Sequence, residues 1–435
     1  MHIIDLRGRR LTTAELLASV PRSQTDVTVA AEAAAALIAE VRERGEAALR
    51  DQAQRFDQVT PPRIRIHGDE IAAAVSGLNP AVRDALEEAI SRVTAASQAQ
   101  IPAPSVTTLA TGAEVIQRWM PVRRVGLYVP GGKAVYPSSV VMNVVPAQVA
   151  GVASVALASP PQKEFGGAIH PTILGAAGLL GVDEVYAMGG AGAIGAFAYG
   201  VAELGLDPVQ VITGPGNVYV AAAKRLVRGQ TGIDSEAGPT EILVIADAAA
   251  DARLVAYDLI SQAEHDELAA AVLVTDSPEF ADRVQAELVR LSPLTHHAGR
   301  VQIALNGPQS AVVLVDDLEA AVAFSNVYGP EHLEIQTANS GAILDLIENA
   351  GAIFLGEFSP VSLGDYLAGS NHVLPTGGQS RFASGLGAYT FLRPQQVIRY
   401  TREALRGVHA QVVALSSAEF LPAHGDAVTA RFTEG

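Results

Sequence analysis

The 435-residue chain contains no cysteine. That excludes disulfides, thiolate metal sites and any mechanism passing through a cysteine thioester, so a metal ion would have to rest on nitrogen and oxygen donors. Aromatic residues are scarce at 5%, and 46 acidic residues against 30 basic ones leave a net charge of −16. Such a surface repels phosphate backbones, and few aromatic faces are available to stack bases, so no nucleic-acid partner is expected. Long apolar runs are missing too: residues 151–160 are too few to span a bilayer, and Glu32 and Glu40 interrupt the alanine-rich stretch near residue 30. No membrane association is expected. The opening Met1-His2-Ile3-Ile4-Asp5-Leu6-Arg7 shows neither a basic leader with an apolar stretch nor a small-residue cleavage site, so the expectation is a cytoplasmic protein.

What is present is the composition of a globular enzyme: 49% hydrophobic and 17% charged residues, with 40 glycines and 24 prolines. The length exceeds what one hydrophobic core usually serves, which predicts at least two domains. From Val27 to Gln100 the pattern is helical, broken at Pro61-Pro62 and Asn79-Pro80. From Arg123 onward, β-branched runs at Val125–Val129, Val152–Ala158, Glu184–Met188 and Gln210–Thr213 alternate with stretches of helical length. A second series follows at Glu241–Ala246, Ala271–Thr275, Ser310–Val315 and Ala352–Leu355, with a helix at Ala252–Glu264. This rhythm predicts two α/β modules with parallel sheets, and a mainly helical tail from about Phe391.

Gly190-Ala191-Gly192-Ala193-Ile194-Gly195 follows a predicted strand and satisfies the dinucleotide fingerprint. The acid that should follow at the end of the next strand is missing, because that strand runs into Gly214-Pro215-Gly216-Asn217 and Asp207 lies at its wrong end. Tight turns and close helix–sheet packing account for these glycines equally well, and the same ambiguity holds for Val129-Pro130-Gly131-Gly132. All three turns would lie at the carboxyl ends of strands, where open α/β sheets bind ligands.

The polar candidates stand in four places. Gln262 and His265 in Ser261-Gln262-Ala263-Glu264-His265 share a helix face, a spacing suited to two ligands of one metal and equally to a helix surface. In Gly329-Pro330-Glu331-His332-Leu333-Glu334 an acid and an imidazole stand side by side, after a proline that can begin a helix. Such a pair can transfer two protons at different pKa values, or simply complement a helix dipole. Asp365 and His372 fall in a Gly/Ser/Pro-rich stretch of loop character, and Glu419 and His424 are five apart in the tail, off one helical face unless Pro422 bends the chain. Gln262, His265, Asp365 and His424 together form a nitrogen and oxygen donor set compatible with zinc, although an amide ligand is unusual.

These segments are also where the chain resembles the histidinol dehydrogenase family: Gly-Pro-Gly-Asn at 214–217, Ala-Gly-Pro-Thr-Glu at 237–241, Ser-Gln-Ala-Glu-His at 261–265, Gly-Pro-Glu-His-Leu-Glu at 329–334 and Asn-His-Val-Leu-Pro-Thr at 371–376. The resemblance implies a homodimer with two Rossmann-like domains: an N-terminal segment 1–24, a first α/β domain of 25–126 plus 240–380, a second of 127–239 on the NAD side, and a dimerisation tail 381–435. It implies zinc on Gln262, His265, Asp365 and His424, with Glu419 and His424 coming from the partner subunit. Catalysis would fall to Glu331 and His332. Substrate contacts would come from Thr240, Gln262, His265, His332, Asp365, His372, Glu419 and His424, and NAD contacts from Tyr128, Asn217 and position 192. Two departures stand out. Gly192 replaces the family's usual glutamine, which partly produces the fingerprint noted above, and Thr240 replaces its usual serine.

The reaction so implied is oxidation of L-histidinol through L-histidinal to L-histidine with two NAD. His332 would take the alcohol proton and Glu331 would activate the water that hydrates the aldehyde. The alternatives are a dehydrogenase of the same fold acting on another polyol such as a sulfonated diol, a zinc hydrolase using Glu331 as base, and a non-catalytic zinc-stabilised dimer. The absence of an acid or arginine after Thr213 leaves NAD against NADP open.

Overall fold

The computed structural model describes residues 1–23, 27–131, 134–236 and 238–432; the motif residues Gly132 and Ala237 and the expected domain boundary at 24/25 lie outside them. Strand β1 (His2–Asp5) is followed by the helices Val27–Arg44, Glu46–Phe56, Gly68–Ser76 and Pro80–Ala99. The Asn79-Pro80 break is a helix start: Asn79 accepts from the Ala81 amide at 2.9 Å, and Pro80 occupies the first turn where its missing N–H costs nothing. A hairpin of β2 (Ser105–Ala110) and β3 (Ala113–Pro121) precedes the first α/β series.

That series comprises β4 (Arg124–Tyr128), β5 (Ser154–Ser159), β6 (Val185–Ala187), β7 (Val211–Thr213) and β8 (Gly232–Ile233), an all-parallel sheet in the order β6-β5-β4-β7-β8. The second comprises β9 (Glu241–Ala246), β10 (Ala270–Thr275), β11 (Ala311–Leu314), β12 (His332–Gln336) and β13 (Ala352–Leu355), which join β1 in a parallel sheet ordered β1-β11-β10-β9-β12-β13. Counted within its own series, each sheet runs third, second, first, fourth, fifth. Both are doubly wound, as the strand–helix rhythm predicts. Side chains alternate between faces: Val125 and Leu127 enter one core and Tyr128 the other, while Ile242 and Val244 are separated in the same way from Leu243 and Ile245.

The helices between residues 27 and 99 pack on the five-stranded sheet. Ala34, Leu37, Val41 and Leu49 join the core on one face of the five-stranded sheet, and Ile71, Leu86 and Val93 the core on its other face. These alanine-rich helices therefore cover the sheet that follows them in the chain. The tail is not wholly helical: β14 (Leu392–Tyr400) lies antiparallel to β3, and only then come the helices Arg402–Ala418 and Pro422–Thr429, packed on each other. Among the described residues no helix is long and apolar enough to cross a membrane.

Candidate functional site

A strand pointing up and a helix returning down place a helix's carboxyl end beside the amino end of its sheet. In the six-stranded sheet this brings together the end of the Ala252–Ala263 helix with Gln262 and His265, Thr240 just before β9, and Glu331 and His332 at the start of β12. The polar cluster thus lies at the amino edge of this sheet, opposite the edge where open α/β folds usually bind ligands.

Pro330 does not begin a helix here. Gly329, at φ +57°, ends the preceding helix Leu318–Tyr328, and β12 pairs with β9 and β13. The signal was available: His332-Leu333-Glu334-Ile335-Gln336 alternates polar and apolar, and Leu333 and Ile335 enter the core.

Hydrogen bonds tie the cluster together. Gln262 Nε2 donates to Thr240 Oγ1 at 2.7 Å, and Thr240 Oγ1 donates to Glu331 Oε2 at 2.6 Å. The same carboxylate oxygen accepts from the Glu241 amide at 2.9 Å, and the Glu241 carbonyl lies 3.1 Å from His332 Nδ1. A carbonyl only accepts, so Nδ1 carries the proton and Nε2 keeps a lone pair free to act as a base. Burial pushes the Glu331 carboxyl well above the usual carboxylate range, against the pull of its bonds from Thr240 and Glu241. Burial pushes the His332 imidazole down, so its neutral, proton-accepting form is favoured.

The donor set can be tested on the same geometry. Gln262 is buried, and with its Nε2 committed to Thr240 its Oε1 has no hydrogen-bond partner. His265 Nε2 stands 3.9 Å from Asp365 Oδ2, and burial lowers the His265 pKa, favouring the neutral imidazole that a metal needs. An orphaned buried amide oxygen, a neutral imidazole and a carboxylate fit one cation. Asp365 lies in a short helix, Val361–Tyr366, rather than in a loop. Glu419 ends the helix Arg402–Ala418 and His424 lies exposed on the next. Among the described residues no cluster of three or more His, Asp and Glu side chains is assembled to hold a metal.

His372 is engaged at both nitrogens. Its Nδ1 donates to the Asp365 carbonyl at 2.9 Å, so its Nε2, 3.0 Å from Ser139 Oγ, accepts that hydroxyl's proton. Ser139 comes from the Pro137–Val149 helix beside the five-stranded sheet, so this bond joins the two sheet systems.

The nucleotide candidates fall at the carboxyl edge of the five-stranded sheet, where β4 and β7 diverge into helices on opposite faces. Tyr128 ends β4; its hydroxyl accepts from the Gly190 amide at 3.2 Å, and burial raises its pKa to about 12. Gly214 has φ +118°, and a Cβ there would lie 1.9 Å from the Tyr128 carbonyl oxygen, so only glycine fits. Asn217 caps the Val218–Val227 helix, accepting from the amides of Tyr219 at 3.0 Å and Val220 at 3.2 Å. Gly192 is buried in the Gly190–Tyr199 helix, where a Cβ would meet Gln52 Oε1 at 2.1 Å. Gln52 Nε2 is itself held by Leu37 O and Glu40 Oε2. Gly192→Ala is therefore expected to destabilise the protein by about 1–3 kcal/mol by forcing Gln52 off those bonds. In a Gln52→Ala background the same change should stabilise slightly, since alanine suits a helix better. Denaturant midpoints of the four proteins measure this, and equal effects in both backgrounds would contradict it.

Three groups escaped the sequence reading. Lys224 and Asp234 form a buried ion pair that also holds both backbone groups of Gly214: Lys224 Nζ donates to its carbonyl at 3.0 Å, and its amide donates to Asp234 Oδ2 at 2.8 Å. A lysine inside Val-Ala-Ala-Ala-Lys was the only hint. Asp258 and Glu334 share a side-chain hydrogen bond, so one of the two carboxyls keeps its proton; burial lifts Asp258 to about 6 and Glu334 well above its ordinary value. Glu334 also accepts from the Val361 amide at 3.0 Å, which ties β12 to the helices bearing Gln262 and Asp365. The third is Glu241, whose backbone holds both Glu331 and His332.

The histidinol dehydrogenase family model matches residues 20–432. The chain is 70% identical over 434 residues to the histidinol dehydrogenase of Leifsonia xyli subsp. xyli, covering the full length of both. It is 56% identical over 432 residues to that of Mycobacterium tuberculosis, covering 99% of this chain and 97% of the other. A solved structure of histidinol dehydrogenase from Elizabethkingia anophelis superposes with a TM-score of 0.93 at 31% identity, covering 99% of this chain and 98% of that one.

Proposed function

The chain belongs to the histidinol dehydrogenase family, and from that premise we propose how its own residues carry the reaction: an NAD-dependent, four-electron oxidation of L-histidinol through L-histidinal to L-histidine. The single observation that carries this reading is the hydrogen-bonded chain Gln262–Thr240–Glu331–Glu241–His332, which puts a buried acid and a free imidazole nitrogen beside an unpaired amide oxygen. The relatives do not favour the alternative of a substrate drifted to another polyol.

His332 Nε2 takes the alcohol proton as hydride leaves the carbinol carbon for the nicotinamide. As water adds to the aldehyde, Glu331 takes a proton from it and the protonated His332 returns its proton to the carbonyl oxygen; His332, neutral again, takes a proton from the resulting gem-diol as the second hydride leaves for a second NAD. Thr240 fixes the rotamer of Glu331 and the amide of Gln262 through its hydroxyl, which survives where the family has serine. Gln262, His265 and Asp365 would hold zinc, with His424 of a second copy. Held there, zinc would supply Lewis-acid binding that orients the substrate.

The donor His424 is supported as a partner's residue by its surroundings. It lies exposed in a tail that also presents Phe420, 90% exposed and at φ +58°, and Leu415, 65% exposed. An apolar, strained surface of this kind suits a homodimer. Tyr128, Gly192 and Asn217 border the NAD side in this reading.

Zinc and the shared site are tested together. Chelation should abolish NADH formation and added zinc restore it; activity that survives chelation with no bound metal contradicts the zinc assignment. Mixing inactive His265→Ala with inactive His424→Ala should regain activity, because a mixed dimer contains one intact site. No regain after verified subunit exchange contradicts the shared site.

A further inference from the structure

Glu241 belongs to none of the groups that the reaction uses, yet its backbone touches both that do. Its amide donates to Glu331 Oε2 at 2.9 Å and its carbonyl accepts from His332 Nδ1 at 3.1 Å. Its side chain points the other way and is almost wholly buried, where an unpaired carboxylate would be costly. Four donors satisfy it. Arg22 gives Nε to Oε2 at 3.0 Å and Nη2 to Oε1 at 3.3 Å, Tyr328 gives its hydroxyl to Oε2 at 3.1 Å, and the Gly377 amide reaches Oε1 at 2.9 Å.

Arg22 is the hub of this second layer. Its Nη2 also donates to the Tyr328 carbonyl at 2.7 Å, and its guanidinium lies 4.2 Å from the centre of the Tyr328 ring. A planar fork making two bonds to a carboxylate and one to a carbonyl sets direction as well as charge, which an ammonium cannot reproduce. Arg22 therefore joins the segment before the first long helix to β9, to the end of the helix leading into β12, and to the loop at Gly377. It lines a cleft of about 490 Å³ together with Arg225, Glu236, Glu241, Thr376 and Gln379. With 21% of its side chain exposed, it can be reached from solvent.

We propose that Arg22 is a positioning residue for the reaction: by anchoring the Glu241 carboxylate it holds the backbone groups that orient Glu331 and keep the proton of His332 on Nδ1. This rests on the assignment of Glu331 and His332 as the acid–base pair.

Arg22→Ala is expected to lower kcat about 100-fold, the scale of a small misplacement of catalytic groups, with KM for histidinol changed less than about threefold. Millimolar guanidinium, entering the emptied cleft, should recover much of the lost kcat without moving the denaturation midpoint; a merely structural role would not produce that recovery. Arg22→Lys, with charge but no fork, should remain impaired. An unchanged kcat in Arg22→Ala, or a loss that guanidinium does not relieve in folded protein, overturns the proposal. If Arg22→Ala does not fold, Arg22→Lys, which keeps the charge but loses the two-pronged bond to Glu241, becomes the deciding variant, and an unchanged kcat there overturns the proposal equally. Failure of the underlying reading is distinct, because Glu331→Gln and His332→Asn would then both remain active.

Discussion

Replacing His332 with asparagine is expected to slow oxidation of histidinol by about 10²–10⁴-fold, the usual contribution of a positioned general base. The change is conservative for the fold. An asparagine amide can donate to the Glu241 carbonyl as Nδ1 does now, so β12 keeps that bond, but nothing remains where Nε2 offers its lone pair. KM should move little, since the loss falls on proton transfer. At about 1.4 kcal/mol per tenfold, this corresponds to about 3–5 kcal/mol of lost transition-state stabilisation. A near-normal rate in single-turnover experiments would remove His332 from the mechanism.

Glu331→Gln separates the two halves of the reaction. Glutamine can still accept from Thr240 and from the Glu241 amide through its oxygen, so the hydrogen-bonded chain survives while the base is lost. The first hydride transfer should continue at a substantial fraction of its rate. The second should fall by about 10²–10⁴-fold, because aldehyde hydration loses its general base. Equal loss in both steps would contradict the division of labour. The pH dependence follows with a definite sign. Burial raises the Glu331 pKa, so its basic form appears only at higher pH than for an ordinary carboxylate, whereas burial lowers the His332 pKa and keeps its basic form available to lower pH. With histidinal as substrate the acid limb should therefore lie at higher pH than with histidinol in the Glu331→Gln enzyme; coincident limbs would contradict these assignments.

Much of this was legible in the sequence, for reasons visible residue by residue. Fully buried strands such as Glu241–Ala246 and Ala270–Thr275 announce themselves as apolar runs, and helices spaced between them force parallel pairing. The boundary between helix and strand near Glu331 and His332 was harder to read. Pro330 suggested a helix start, and the polar side of β12 hid a strand whose alternation was present but short. Gln262 and His265 could be paired by helical spacing, and Asp365 could not, because its 3.9 Å approach to His265 depends on how the Val361–Tyr366 helix is anchored by Glu334. Ser139, Glu241, Arg22 and the Lys224–Asp234 pair act through long-range contacts that no local pattern encodes. The packing of the 27–99 helices on the following sheet was likewise a tertiary choice, made by which alanine faces meet which strands.

The most direct test of the account is the number of NADH formed per L-histidinol consumed by the purified protein, followed to completion with NAD in excess. Two NADH with histidine as the product is the result expected if Glu331 and His332 serve both oxidations in one site. One NADH with free histidinal accumulating, or no reduction at all in zinc-loaded protein, would contradict it.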